Sequence, residues 1–238
     1  MAHPRCVAWG EMGLDYHYDH SPRDIQRSVF TRQLRQAVRL GKPLTIHTRE
    51  ADDDTERILK EEVPQDCRVR NLASSTPAHP HLLNPLPSFF SQIHIHCFTD
   101  TPGFAKRVLD HFPNLCIGIT GAFPAFLPSQ PHISYPTHLI PLGVITYSSN
   151  TNTSAVIQQM VASNPSAPLR ILLETDAPYM VPGNLYDSIN GLKGKLPICH
   201  SAMLPWTAEF VAKAAGEPWT ADRVMSEARA NAKMIYGV

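Results

Sequence analysis

The sequence predicts an α/β fold built on a parallel sheet or a barrel, and three observations carry that expectation. Short apolar runs alternate with segments of helical periodicity along most of the chain. The run from Arg170 to Leu173 has the length and character of a buried strand and stops at Glu174-Thr175-Asp176-Ala177-Pro178, where proline cannot continue a central strand. Three other runs end in the same way, delivering a histidine or a carboxylate to the strand's carboxyl end. That is where parallel α/β proteins place their chemistry.

Taken in order, Cys6 to Trp9 opens as a strand and runs into Gly10-Glu11-Met12-Gly13-Leu14-Asp15. The two glycines are expected to turn the backbone there and bring Glu11 and Asp15 to the strand end. Ser21-Pro22-Arg23-Asp24 reads as a helix start with a capping serine. Ile25, Val29, Phe30, Leu34, Ala37 and Val38 then recur at helical spacing as its buried face, until Gly41 and Pro43 stop it. Leu44 to His47 is the next strand, ending in His47-Thr48-Arg49-Glu50-Ala51, and a polar amphipathic helix follows from about Asp52 to Leu59.

Ile93 to His96 is a third strand, opening into Cys97-Phe98-Thr99-Asp100. Thr101-Pro102 starts a helix with Phe104, Val108, Leu109 and Phe112 on its apolar face. Leu115 to Thr120 is a fourth strand, Leu169 to Leu173 the fifth, and two helices, about Pro205 to Ala215 and Thr220 to Tyr236, finish the chain. The whole of 1–238 reads as one domain with irregular inserts at about 71–92 and 122–142, which are rich in proline, histidine and serine and have no periodicity. Two readings of these inserts stay open: surface loops or lids, and residues foreign to the ancestral fold.

Composition narrows the function classes. Formal net charge is zero, so the global basic footprint of non-specific nucleic-acid binding is absent and any such contact must be local. Five scattered cysteines with no C-x-x-C pair suggest reduced thiols inside a cell. The sequence has no apolar run of membrane-spanning length and its first residues lack a signal-peptide core, so a cytoplasmic or nuclear protein without membrane contact is expected.

Glu11, His47, His96 and Asp176 each sit at the end of a different strand. Two carboxylates and two imidazoles form a first shell suited to zinc, manganese or magnesium, and such a site fits the top of a (β/α)₈ barrel. The motifs around these residues resemble those of the TatD family of metal-dependent deoxyribonucleases. Gly10-Glu11-Met12-Gly13-Leu14-Asp15 is similar to its G-E-x-G-L-D motif, and His47-Thr48-Arg49-Glu50-Ala51 to H-x-R-[DE]-A. His96-Cys97-Phe98-Thr99-Asp100 is similar to H-C-F-[ST]-G, with aspartate for the last glycine. Ile117 to Gly121 resembles the seventh-strand motif, Glu174 to Tyr179 resembles E-T-D-x-P-[YF], and Asn231 to Gly237 resembles the family's last helix.

The resemblance implies a TIM-type (β/α) barrel of the metal-dependent hydrolase kind, with one or two divalent ions, Mg, Mn or Zn. It also implies hydrolysis of DNA or another phosphodiester substrate. Carried over residue by residue, Glu11, His47 and His96 are metal ligands, and Asp176 is a ligand that also takes the proton of the attacking water. Arg49 meets a substrate phosphate. His200 lies where family members have an asparagine-proline pair, and reads either as a substrate-side residue or as a loop histidine bonded to backbone. Asp15 and Glu174 are expected to bond to loop amides, and Cys97 to point away from the site and pack.

The sequence also departs from the family. Its members begin with a strand carrying H-x-H and two further βα units, whereas few residues precede Glu11 here. The expectation is therefore an N-terminally incomplete barrel of about five of eight strands, its open edge covered by a protein partner or by self-association. His94-Ile95-His96 matches H-x-H literally, but its place before Cys97-Phe98-Thr99 assigns it to the family's sixth strand. Two rival functions follow: a catalytically impaired relative acting through partner binding, and a hydrolase of small amides or esters.

Overall fold

A computed structural model of the chain describes residues 3, 5–65, 91–121, 147–189 and 196–238. Among these residues five parallel strands form one sheet in the order β1-β2-β3-β4-β5: β1 (Trp9–Asp15), β2 (Leu44–Arg49), β3 (Ile93–Ile95), β4 (Leu115–Ile119) and β5 (Ile171–Leu173). Every strand pairs with its neighbour in sequence, so all the carboxyl ends open on one side. The expected insert at 122–142, and that at 71–92 apart from Ser91 and Gln92, lie outside the described residues.

The helices fill the crossovers that parallel pairing requires. They are α1 (Arg23–Arg39), α2 (Asp52–Glu62), α3 (Pro102–His111), α4 (Tyr147–Ser163), α5 (Leu185–Ser188), α6 (Leu204–Ala215) and α7 (Ala221–Tyr236). Strands β3 and β4 are buried along their whole length, as expected where helices cover one face and the barrel interior lies on the other. The core joins Leu14, Ile46, Ile95 and Ile117 of the sheet to Phe30, Leu59, Phe104 and Ile157 of the helices. Among the described residues no helix is long and apolar enough to cross a membrane.

Several local expectations change. β1 begins at Trp9 and contains the Gly10–Asp15 motif rather than ending before it. Its glycines serve close approach to β2: a Cβ on Gly13 would run into the carbonyl oxygen of His47, and one on Gly10 would lie 2.5 Å from Thr45 Cβ. Pro22, not Ser21, occupies the cap position of α1, with no side-chain cap. Ile25 and Val29 are half exposed, at 50% and 46%, while Phe30, Leu34 and Ala37 are buried. The 3.6-residue pattern holds two overlapping stripes, and the sheet takes the second. In α3 the expected face of Phe104, Val108 and Leu109 is buried, and Thr101 Oγ1 accepts the Phe104 N–H at 3.3 Å as the cap. Helix α4 was not anticipated from the sequence; its Ser, Thr and Asn residues compete for backbone hydrogen bonds and mask the helical pattern.

Candidate active site

The carboxyl ends of β1 and β2 build one half of the site. Glu11 Oε1 lies 2.9 Å from His47 Nδ1, and Asp15 Oδ2 lies 3.5 Å from His47 Nε2. Helix α1 fixes the end of β1 through Gln26, whose Oε1 accepts the Asp15 N–H at 2.9 Å and whose Nε2 donates to the Asp15 carbonyl at 3.0 Å. Asp15 Oδ1 accepts the N–H groups of His17 and Tyr18, as expected of a loop-capping acid. The hydrogen bond to His47 holds the Glu11 carboxyl below its usual range, and the same contact raises His47.

The ends of β3 and β5 build the other half. His96 Nδ1 lies 2.8 Å from Glu174 Oε2, and His96 Nε2 faces Asp176 Oδ1 at 3.9 Å. Glu174 does bond to a loop amide, since its Oε1 accepts the Cys97 N–H, but its main partners are the two histidines of β3. Burial pushes the Glu174 carboxyl up, and His94 and His96 overcome it and hold the group down at about 2. Burial likewise pulls His96 down, and Glu174, with Glu11 and Asp176 behind it, lifts the imidazole to about 9.

Cys97 departs from the extended-strand expectation. Its φ of 46° places it in the left-handed region, so its side chain no longer alternates with His96 and it lines the site instead. Burial pushes the thiol up to about 12, which keeps it protonated and a poor ligand for a metal.

The two halves face one open cavity of about 930 Å³. Its lining includes Glu11, Asp15, His47, His96 and Asp176, with Arg49 at the side, its guanidinium carbon 4.9 Å from the centroid of the Tyr18 ring. The expected ligands are thus brought to one mouth, in two hydrogen-bonded halves. His200 is exposed and does not line the cavity; its neighbour Cys199 is buried, and the Cys199 N–H donates to the Pro178 carbonyl at 2.9 Å.

The donors fit a divalent ion of the zinc, manganese or magnesium kind, being carboxylate oxygens and imidazole nitrogens. Geometry supports the fit: with His96 Nδ1 turned inward on Glu174, the other ring nitrogen is presented to the cavity, the arrangement metal-binding histidines adopt. Among the described residues, the histidine and acid donors that lie within 4.8 Å of one another in a group of three or more are those of His94, His96 and Glu174. Sequence reasoning gave neither His94 nor Glu174 a part in this cluster. His94 was detectable as the residue two before His96, on the same face of β3, but its contact with β5 has no local signature.

A sequential parallel sheet with helical crossovers, and with imidazoles and carboxylates gathered at its carboxyl ends, is the arrangement of a TIM-type (β/α) barrel. The comparisons with known proteins agree. YJJV, a TatD homologue from Escherichia coli, superposes with a TM-score of 0.60 at 22% identity, covering 98% of this chain and 64% of its own. The sequence model of the TatD related DNase family matches residues 1–130, and the chain belongs to that family. The human 3'-5' RNA nuclease TATDN2 is 31% identical over 239 residues, an alignment that takes in 100% of this chain and 24% of TATDN2. The uncharacterized metal-dependent hydrolase YabD of Bacillus subtilis is 54% identical over 61 residues, 26% of this chain and 24% of YabD. The chain therefore spans about a quarter of TATDN2 and just under two thirds of YJJV.

Proposed function

We propose that this chain hydrolyses phosphodiester bonds of DNA or RNA with the help of a divalent metal held by Glu11, His47, His96 and Asp176. The observation that carries the reading is the convergence of these four groups, with Arg49, on one cavity at the strand ends. The names of its relatives support the substrate class, one being an RNA nuclease and the family itself a DNase family.

When bound, a divalent ion supplies Lewis-acid polarisation of the phosphate and lowers the pKa of a water toward neutrality. The protein's own residues supply the rest. Glu174 holds His96 in one orientation from below. Asp176 has its side chain 44% exposed to the cavity, and its Oδ1 is the atom that accepts the proton of the attacking water. Arg49 presents its guanidinium to a non-bridging phosphate oxygen, braced by Tyr18. Tyr18 and the 49%-exposed Tyr179 border the same cavity and offer rings for unpaired bases to stack on.

The test is hydrolysis of end-labelled single-stranded DNA and RNA oligonucleotides by metal-loaded protein, with Asp176→Ala and a chelated sample alongside. The proposal expects release of nucleotides by the wild type and loss of at least about 100-fold in the variant, the scale of removing a general base. A wild type inert toward both polymers, or equal rates with Asp176→Ala, would reject it.

A further inference from the structure

Behind the cavity lies a buried polar chain in which Thr45, Tyr236 and His94 have no part in the proposed chemistry. Thr45 Oγ1 is 3.1 Å from Tyr236 Oη, and Tyr236 Oη is 2.6 Å from His94 Nδ1. His94 Nε2 then lies 3.0 Å from Glu174 Oε2, the same oxygen that meets His96 Nδ1 at 2.8 Å. The chain crosses from β2 through the end of α7 to β3 and β5, joining residues up to 191 positions apart.

Burial makes this costly unless it is used. His94 is 6% exposed, and its Nε2 is fully covered, with no aligned hydrogen bond. The nitrogen is therefore held against the carboxylate by charge and proximity. Space for the pair exists because residue 118 is glycine: a Cβ there would fall 2.5 Å from His94 Nε2 and closer still to Glu174 Oε1. The ordering of donors is consistent throughout. With Thr45 O–H donating to Tyr236 Oη and Tyr236 O–H to His94 Nδ1, the His94 proton sits on Nε2, beside the Glu174 carboxylate though not aligned on it.

We propose that His94 and Tyr236 are positioning residues for the metal centre: they pin Glu174, and through it hold His96 with Nδ1–H inward and the Nε2 lone pair toward the cavity. Without them Glu174 keeps, among the described residues, the Cys97 amide, Thr120 and His96 itself as partners, and the imidazole is free to rotate or change tautomer. This inference rests on the reading of His96 as a metal ligand, and deepens it.

The experiment uses the full chain with Zn²⁺ as the probe. Affinity is read by competition with a chromophoric chelator, and the His96 ring nitrogens by ¹⁵N NMR of the metal-free protein at about pH 10.5, above the titration of His96, where the ring is neutral and has a tautomer to read. Tyr236→Phe and His94→Val are expected to weaken Zn²⁺ binding about 10-fold or more, as loss of a ligand's supporting hydrogen bond does. Both should also shift the His96 ring signals from the pure Nδ1–H form toward a tautomer mixture. His94→Gln, which keeps a donor toward Glu174, should restore both readouts to within about 3-fold of wild type. Because Tyr236→Phe removes one oxygen and leaves the ring in place, it tests the relay even where His94→Val fails to fold. Unchanged His96 signals in Tyr236→Phe, His96 signals in His94→Gln shifted away from wild type, or Zn²⁺ affinity equal to wild type in Tyr236→Phe, would overturn the proposal. A wild type that binds no Zn²⁺ would count against the metal centre instead, and the NMR comparison would still decide the positioning.

Discussion

Glu174→Gln is the substitution on which most of this account depends. The side chain keeps its shape, but a carboxylate that meets His96 and the Cys97 amide by hydrogen bonds and lies 3.0 Å from His94 Nε2 becomes an amide with one acceptor and two donors. In the metal-free protein His96 is raised from 6.5 to about 9 by this contact, with Glu174 lowered from 4.5 to about 2. The two shifts describe one interaction from its two ends and are not summed. The His96 shift alone corresponds to about 3 kcal/mol. A histidine whose folded value is raised contributes stability that is fully present below pH 6.5 and is lost as pH climbs through 9. The carboxylate side is present above pH 4.5 and is lost as pH falls toward 2.

Urea unfolding of chelator-treated protein at pH 6 and pH 9.5 reads the effect. Wild type should lose about 3 kcal/mol between the two. Glu174→Gln should be less stable by about 3 kcal/mol at pH 6 and should lose clearly less than wild type across the same interval, the remaining loss coming from His47 beside Glu11 and from His96 beside Glu11 and Asp176. A variant that keeps the wild-type pH dependence would refute the Glu174–His96 pairing as its source.

Other consequences are equally direct. Gly118→Ala should cost about 1–3 kcal/mol by overpacking, read as a lowered urea midpoint, because neither Glu174 nor His94 can yield without breaking its other bonds. Leu34→Ala should cost about 2–5 kcal/mol, whereas Val29→Ala should stay within about 0.5, since only the first faces the sheet. Burial, then the neighbouring Asp52 carboxylate, raises Asp100 to about 7. Its neutral form is the one the fold favours, so this contribution is lost as pH rises from about 4 through 7. Relative to wild type, Asp100→Asn should therefore gain about 4 kcal/mol on going from pH 4 to pH 8, measured by urea unfolding.

The order of strands and helices was legible because apolar runs and helix stops are local signals. The strands Leu44–Arg49 and Leu115–Ile119 start where those signals put them, the first running two residues beyond the expected His47 and the second stopping one short of Thr120. What escaped depends on the partner surface. Gly10 and Gly13 look like turn residues in isolation, but they lie inside β1 because β2 passes too close for a Cβ. Ile25 and Val29 share a helical period with Phe30 and Leu34, and only the position of the sheet decides between the stripes. In the site, Glu11, His47, His96 and Asp176 were visible as strand-end groups. Glu174 was not seen as their support, since its partners His94 and His96 are about 80 residues away in sequence and meet it only when β3 and β5 flank β4.

The most direct test of the metal centre is the anomalous diffraction of Mn²⁺ in crystals of the full chain. The account predicts density within coordination distance of Glu11, His47, His96 Nε2 and Asp176, on the cavity side of His96. Density confined to the space between His94 and Glu174, or none in the cavity at saturating Mn²⁺, would contradict it.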